Sequence, residues 1–271
     1  MPDTLLLVEM GLLLAVIGGI AGVIAGLLGV GGGIVLVPSF FYAFSALGYG
    51  GPQLMQVCLA TSLATIIVTS ARSVMAHNRK GAVDWQVLKD WAPGIMFGAA
   101  VGVMLVSSLR THTLQIIFGV LVVVIATYMM IGKSSWRLAE DMPQGPVKYV
   151  MAGLTGFVSV LLGIGGGSIG VPIMTLHGRP IHRAVATAAG FGALIALPSA
   201  LLFLFTPTEN APPGTIGAVN IPAFLIVIAM TLLTAPLGAA LAHRLDAKML
   251  KKVFAVFLML VALNMLRKAL F

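Results

Sequence analysis

The chain has 271 residues, 59% of them hydrophobic and only 9% charged, with a mean hydropathy of +1.06. A soluble domain carries roughly a quarter charged residues, so this composition excludes a water-soluble fold. The net charge of +8 does not point to nucleic acid: no basic run with interleaved aromatics occurs, and Lys and Arg collect in the cytoplasmic loops of membrane proteins.

Residues 1–4 lack the basic stretch of a signal peptide, and the apolar run 5–28 is too long for one, so it is expected to stay as a membrane helix. Within it Gly18, Gly22 and Gly26 recur at four-residue spacing, the pattern of close helix packing. Glu9 is expected near the outer interface. The run ends in "LLGVGGGIVLVP", residues 27–38. Adjacent glycines destabilise a helix, so a break is expected at Gly29, Gly31, Gly32 and Gly33, with a new segment over 34–46. The run 54–76 is the next helix. It holds the single cysteine, Cys58, which rules out an intramolecular disulfide. Thr61, Thr65 and Thr69 share one face of it, with Gln56 and Ser62 nearby. Hydroxyls in such helices either back-bond to their own carbonyls or serve as ligands. After the basic end containing Arg72, His77 and Arg79, "GAVD" at 81–84 presents Asp84 as an N-cap. Helices over 91–109 and 114–131 follow, and then a polar linker, 133–146.

The second half repeats this order. "LLGIGGGSIGVP", residues 161–172, ends the run that starts at Tyr149, and a segment over 168–176 follows. Arg179, His182 and Arg183 precede the run 184–205, in which Thr187 stands where Thr61 stands in the first half and Pro198 predicts a kink. "GAVN" at 217–220 makes Asn220 a cap, with Pro222 in the first turn. Runs over 221–241 and 253–266 close the chain. The matched pairs include Gly22 with Gly156, Gly33 with Gly167, Pro38 with Pro172, and Gly102 with Gly238. Ordered matches of this kind indicate duplication, with repeats over 5–132 and 147–270 inside a single transmembrane domain, 1–271.

Each Gly-rich pair of segments, whether two crossings or a re-entrant hairpin, returns the chain to the side it left. Three helices then follow in each half. With the N-terminus outside, thirteen Lys and Arg from Arg72 to Lys252 fall on the cytoplasmic side, and only Arg110, Arg267 and Lys268 lie outside. That asymmetry sets the orientation. An odd number of net crossings per half inverts the second repeat relative to the first. The expected fold is therefore an all-α integral membrane protein of two inverted repeats, with 8–10 membrane segments and both termini periplasmic. Transporters built this way bind substrate near the midplane, where helices break.

Broken backbone survives in a membrane only inside protein or beside a water-filled cavity. The helix that restarts after each break offers unpaired amides at its positive end, a cradle for an anion. Gly29, Gly31, Gly32, Gly33, Gly163, Gly165, Gly166, Gly167 and Ser168 are therefore candidate substrate ligands, joined by Thr61, Ser62 and Thr187. Arg183 and Arg72 are candidates for an inner vestibule. The remaining basic residues at helix ends read as orientation signals. No carboxylate sits at midplane, which argues against a cation substrate. No metal-ligand spacing, nucleophile elbow or phosphate loop occurs, so neither an enzyme nor a cofactor is expected.

"GLLGVGGGIVLVP", "ATS" (60–62), "GAVDW" (81–85) and the second "LLGIGGGSIGVP" together resemble the sulfite exporter TauE/SafE family, also called the toluene sulfonate uptake permease family. The second half has "ATA" (186–188) in place of "ATS". The resemblance implies a carrier of sulfite, sulfoacetate or another organosulfonate in the bacterial inner membrane, with protons as a candidate coupling ion. The expectation is a secondary transporter working by alternating access. The alternatives are a passive anion channel, a non-transport assembly subunit and an intramembrane enzyme.

Overall fold

A computed structural model describes residues 4–28, 33–132, 136–242 and 247–270. Ten helices form these residues: α1 (Thr4–Leu28), α2 (Gly33–Ala46), α3 (Leu54–Asn78), α4 (Trp85–Ser108), α5 (Thr111–Ile131), α6 (Gly145–Leu161), α7 (Gly167–Leu176), α8 (Ile181–Leu204), α9 (Ile221–Ala242) and α10 (Ala247–Leu270). Each long apolar run of the sequence is one helix. Among the described residues six of them, α3, α4, α5, α8, α9 and α10, are long and apolar enough to cross a membrane, and the protein is an all-α membrane protein. Their outward faces carry Phe97, Met104, Leu233 and Leu260, all exposed, as expected of surfaces that meet lipid.

Local chemistry explains the element ends. Asp84 caps α4, its Oδ1 accepting the Val87 amide at 3.2 Å, and Asn220 Oδ1 accepts the Ala223 amide at 2.9 Å at the start of α9. Both capping expectations hold. Strands β1 (Thr215–Ile216) and β2 (Val219–Asn220) form a short antiparallel ladder just before α9. Helix α8 runs through Pro198 as one element.

Glycines set the helix contacts. Helices α1 and α9 run parallel: Gly18 faces Val227 and Met230, and Gly22 faces Thr231 and Thr234. The packing expectation for Gly18 and Gly22 therefore holds. Helices α4 and α6 run parallel in the same manner, with Gly94 against Tyr149 and Ala152, Gly98 against Gly153, and Gly102 against Phe157 and Val160. A Cβ at Gly156 would collide with the Ile95 carbonyl and stand 2.9 Å from the Ala99 nitrogen. At such a spacing only a hydrogen fits between the backbones.

The principal pairings exchange with one another when each helix is replaced by the one five places along. Helix α1 packs on α9 as α6 packs on α4, α2 on α3 as α7 on α8, and α3 on α9 as α8 on α4. Two further large pairings, α3 with α8 and α5 with α10, join equivalent helices.

Helices α3 and α8 cross at the centre in opposite directions. Gln53, just ahead of α3, bonds the Pro207 carbonyl beyond the end of α8, while Ser70, late in α3, meets Gly192. Helix α3 is the most enclosed of the spans. Trp91 of α4 stacks on Phe191 of α8 at 5.7 Å.

Helix α7 has only ten residues, about 15 Å of length against a hydrocarbon core of about 30 Å. The amides of Leu138 and Ala139, ahead of α6, donate to the Leu176 carbonyl at 2.8 and 3.3 Å. The end of α7 thus lies beside the chain leading into α6. Together α6 and α7 form a hairpin whose two ends lie side by side.

Candidate functional site

The α6–α7 break occupies residues 162–166. Gly163 has φ +58°, a left-handed conformation that costs other residues about 1–2 kcal/mol. Its amide closes a turn onto the Val160 carbonyl (3.0 Å), and the Ile164 amide returns to the Ser159 carbonyl (2.9 Å). Gly165 and Gly166 keep negative φ and serve a different purpose. A Cβ at Gly166 would overlap Phe191 and stand 2.8 Å from the Ala188 carbonyl, and one at Gly165 would be 3.3 Å from Ile66. These glycines let the break press against α8 and α3. Helix α7 begins at Gly167, with its first bond running from the Gly170 amide to the Gly166 carbonyl (2.6 Å). The amides of Gly167, Ser168 and Ile169 therefore precede the intrahelical ladder.

The other Gly-rich segment meets this one. A Cβ at Gly33 would stand 2.7 Å from the Gly163 carbonyl oxygen and 3.0 Å from Ile164 Cα. Ser62 of α3 straps the two segments together, donating to the Gly163 carbonyl at 2.7 Å and lying 3.5 Å from the Gly33 carbonyl. Gly29, Gly31 and Gly32 lie outside the described residues.

Thr61 and Thr187 make matching contacts across the two halves. Thr61 Oγ1 accepts the Asn220 amide at 3.0 Å, and Thr187 Oγ1 accepts the Asp84 amide at 2.9 Å. Both threonines are fully buried. Each ties a central helix to the start of a spanning helix in the other half while keeping its own hydroxyl proton for a further acceptor. Thr65 and Thr69 instead donate along their own helix, to the carbonyls of Ser62 (2.6 Å) and Thr65 (3.2 Å). Gln56 bonds three carbonyls at the end of α4, those of Val106, Ser107 and Leu109.

The charged residues stand away from the breaks. Arg72 and Arg183 are exposed. Arg179, which follows α7, lies 3.8 Å from the Asp84 carboxylate. No Lys, Arg, His, Asp or Glu occurs in residues 10–71 or 149–176, the two stretches that contain the breaks. The polar groups at the meeting point are thus backbone amides, carbonyls and hydroxyls. Among the described residues no three His, Cys, Asp or Glu side chains gather as a metal site.

Two hydroxyls beside the break are buried without a partner, those of Ser159 and Ser168. Ser168 was a candidate from the sequence. Ser159 was not: nothing in its local pattern separates it from the hydroxyls that back-bond within their helices. The one available signal is that Ala25 holds the equivalent place in the first repeat.

Comparison with known proteins places this arrangement. The description of the sulfite exporter TauE/SafE family matches residues 14–265. A probable membrane transporter protein of Haemophilus influenzae is 34% identical over 238 residues, covering 87% of this chain and 90% of its own. Probable membrane transporter proteins of Methanocaldococcus jannaschii and Bacillus subtilis are 27% and 26% identical, covering 80% and 88% of this chain and 82% and 90% of their own. No solved structure matches. With a match spanning nearly the whole chain and relatives of the same length, the protein belongs to the sulfite exporter TauE/SafE family of membrane transporters.

Proposed function

We propose that the protein is a secondary transporter that carries a small sulfur-containing anion, sulfite, sulfoacetate or another organosulfonate, across the bacterial inner membrane by alternating access. The observation that carries the reading is the meeting of the two Gly-rich segments at Gly33 and Gly163, strapped by Ser62, in stretches with no charged side chain. Amides at the start of α7 and hydroxyls around it supply hydrogen-bond donors and a positive helix end. Such a set suits an anion whose oxygens accept hydrogen bonds.

In this reading the two halves are inverted repeats, both termini are periplasmic and the linker is cytoplasmic. The exchange of helix pairings and the paired bonds of Thr61 and Thr187 support a pseudo-two-fold relation. Gly29, Gly31, Gly32 and Gly33 pair with Gly163, Gly165, Gly166 and Gly167 as the two walls of the site, and Thr61, Ser62, Thr187 and Ser168 supply hydroxyls. Arg72 and Arg183 attract the anion on the cytoplasmic side. Rocking one half against the other exposes the meeting point to each side in turn.

Initial uptake rates in proteoliposomes, measured against the concentration of sulfite, sulfoacetate and a carboxylate of similar size, test the reading. A saturable rate for the sulfur anions is expected. No flux of any of them, above that of empty vesicles, refutes it.

A further inference from the structure

Membrane-helix hydroxyls in this protein have a default. Ser39, Thr155, Thr175 and Ser199 each donate to the carbonyl four residues earlier, at 2.7–2.9 Å. Ser159 breaks the pattern. It lies within α6, it is fully buried, and its hydroxyl bonds neither the Thr155 carbonyl nor any other group. Its own carbonyl holds the Ile164 amide, so the residue is attached directly to the break. Ser168, in the first turn of α7, has a hydroxyl just as enclosed and just as unpartnered. An unmet hydroxyl in a closed interior is costly, and two of them flanking one break mark a place that a ligand completes.

The two repeats differ at these positions. Ser159 corresponds to Ala25, Ser168 to Ile34, and Ser62 to Ala188. Every hydroxyl that bonds or flanks the α6–α7 break is thus replaced by an apolar residue at the corresponding position of the other repeat. The donor set is lopsided despite the similar backbones.

We propose that Ser159 and Ser168 are the substrate-positioning hydroxyls of the carrier and that the anion sits on the α6–α7 side of the meeting point. There the hydroxyls and the free amides of Gly167 and Ser168 hold the three oxygens of a singly charged head group, a sulfonate or hydrogensulfite. This inference rests on the anion-transport reading above. Single charge follows from the donors. With no cation in either stretch, neutral hydrogen bonds and one helix end must replace the water around the ligand. They do so for one negative charge far better than for two. Sulfate therefore binds far more weakly because of its second charge, although its oxygens match.

The test uses the purified full-length protein with methanesulfonate as probe and sulfate as competitor, read by calorimetric titration beside the melting temperature without ligand. Ser159→Ala and Ser168→Ala should each weaken methanesulfonate binding about fivefold or more. Their ligand-free melting temperatures should be unchanged or raised, because each removes an unmet hydroxyl. Ser199→Ala, buried and back-bonded, should bind as wild type. Sulfate should compete only at far higher concentration. If wild type binds methanesulfonate and both serine variants bind it equally well, the assignment is wrong while the transport reading stands. Lowered ligand-free stability with unchanged affinity makes the serines packing residues and overturns the assignment. Sulfate competing as well as methanesulfonate overturns the charge selection. A wild-type protein that binds and moves neither sulfite nor any sulfonate removes the transport reading and this inference with it.

Discussion

Replacing Thr61 by valine isolates one bond that joins the two halves. The side chain keeps its shape and loses only the oxygen that accepts the Asn220 amide at 3.0 Å. Thr61 and Asn220 are both fully buried, so water cannot replace the lost acceptor. Asn220 is also held in place, its side-chain amide bonding the Pro213 carbonyl (3.1 Å) and Thr215 (2.9 Å), and cannot turn to find another. A buried amide left without a partner costs about 1–3 kcal/mol. Thr187→Val removes the equivalent acceptor from Asp84, whose side chain is 14% exposed. Some hydration is available there, and the loss should fall near the lower end of that range. Unfolding in detergent micelles, followed by tryptophan fluorescence, measures both losses. Thr61→Ser retains the acceptor and should stay close to wild type. In the same variants, loss of the hydroxyl proton from the site should weaken anion binding about fivefold. A Thr61→Val protein as stable as wild type would refute the assignment of this bond as a strut between the halves.

Gly156→Val should force α4 and α6 apart, since even a Cβ meets the Ile95 carbonyl; a loss of about 3 kcal/mol or more should appear as poor yield of folded protein. Gly11→Ala, with nothing within 4 Å of the added carbon, should be neutral or stabilise α1 by up to about 1 kcal/mol in the same yield and melting assay. Asp84→Ala removes the α4 cap and should cost about 1 kcal/mol. Asp84→Asn keeps a cap and loses only the 3.8 Å ion pair with Arg179, whose side chain is 34% exposed, so its cost should be about 0–1 kcal/mol; paired melting curves separate cap from charge. In a Cys58→Ala background, a cysteine at Gln144 should react with a membrane-impermeant maleimide only from the cytoplasmic side, and one at Glu209 only from the periplasm.

Much of this architecture was legible in the residues. Runs of apolar sequence became helices, and α2 and α7 start at Gly33 and Gly167, one residue before the expected positions. Helices α4 and α10 instead start at Trp85 and Ala247, several residues before the apolar runs at 91 and 253, because polar first turns belong to the helix without adding to its apolar run. The caps at Asp84 and Asn220 could be read because capping is local chemistry. What the sequence hid is long-range. Clustered glycines announce a break, but only the fold separates Gly163, which needs positive φ, from Gly166, which needs room beside Phe191. The bonds of Thr61 and Thr187 cross 159 and 103 residues, and no periodicity reveals such partners. Ser159 was invisible for the same reason: an unmet hydroxyl is defined by everything around it. The motif boundaries left open whether α6 and α7 cross fully. In the second half α7 has ten residues, and its last carbonyl accepts bonds from the chain ahead of α6, so the two ends of that hairpin lie together.

The most direct test of the account is counterflow in proteoliposomes. Vesicles preloaded with unlabelled sulfite or sulfoacetate at high concentration are diluted into a trace of the same anion in labelled form. A carrier whose two halves expose one anion site alternately must return empty or loaded, so the label should accumulate transiently above its outside concentration. Gly166→Ala should abolish that overshoot by driving the break away from α8. Label that only equilibrates, with a rate linear in concentration and unaffected by Gly166→Ala, would mean an open anion pathway and would contradict alternating access at the glycine breaks.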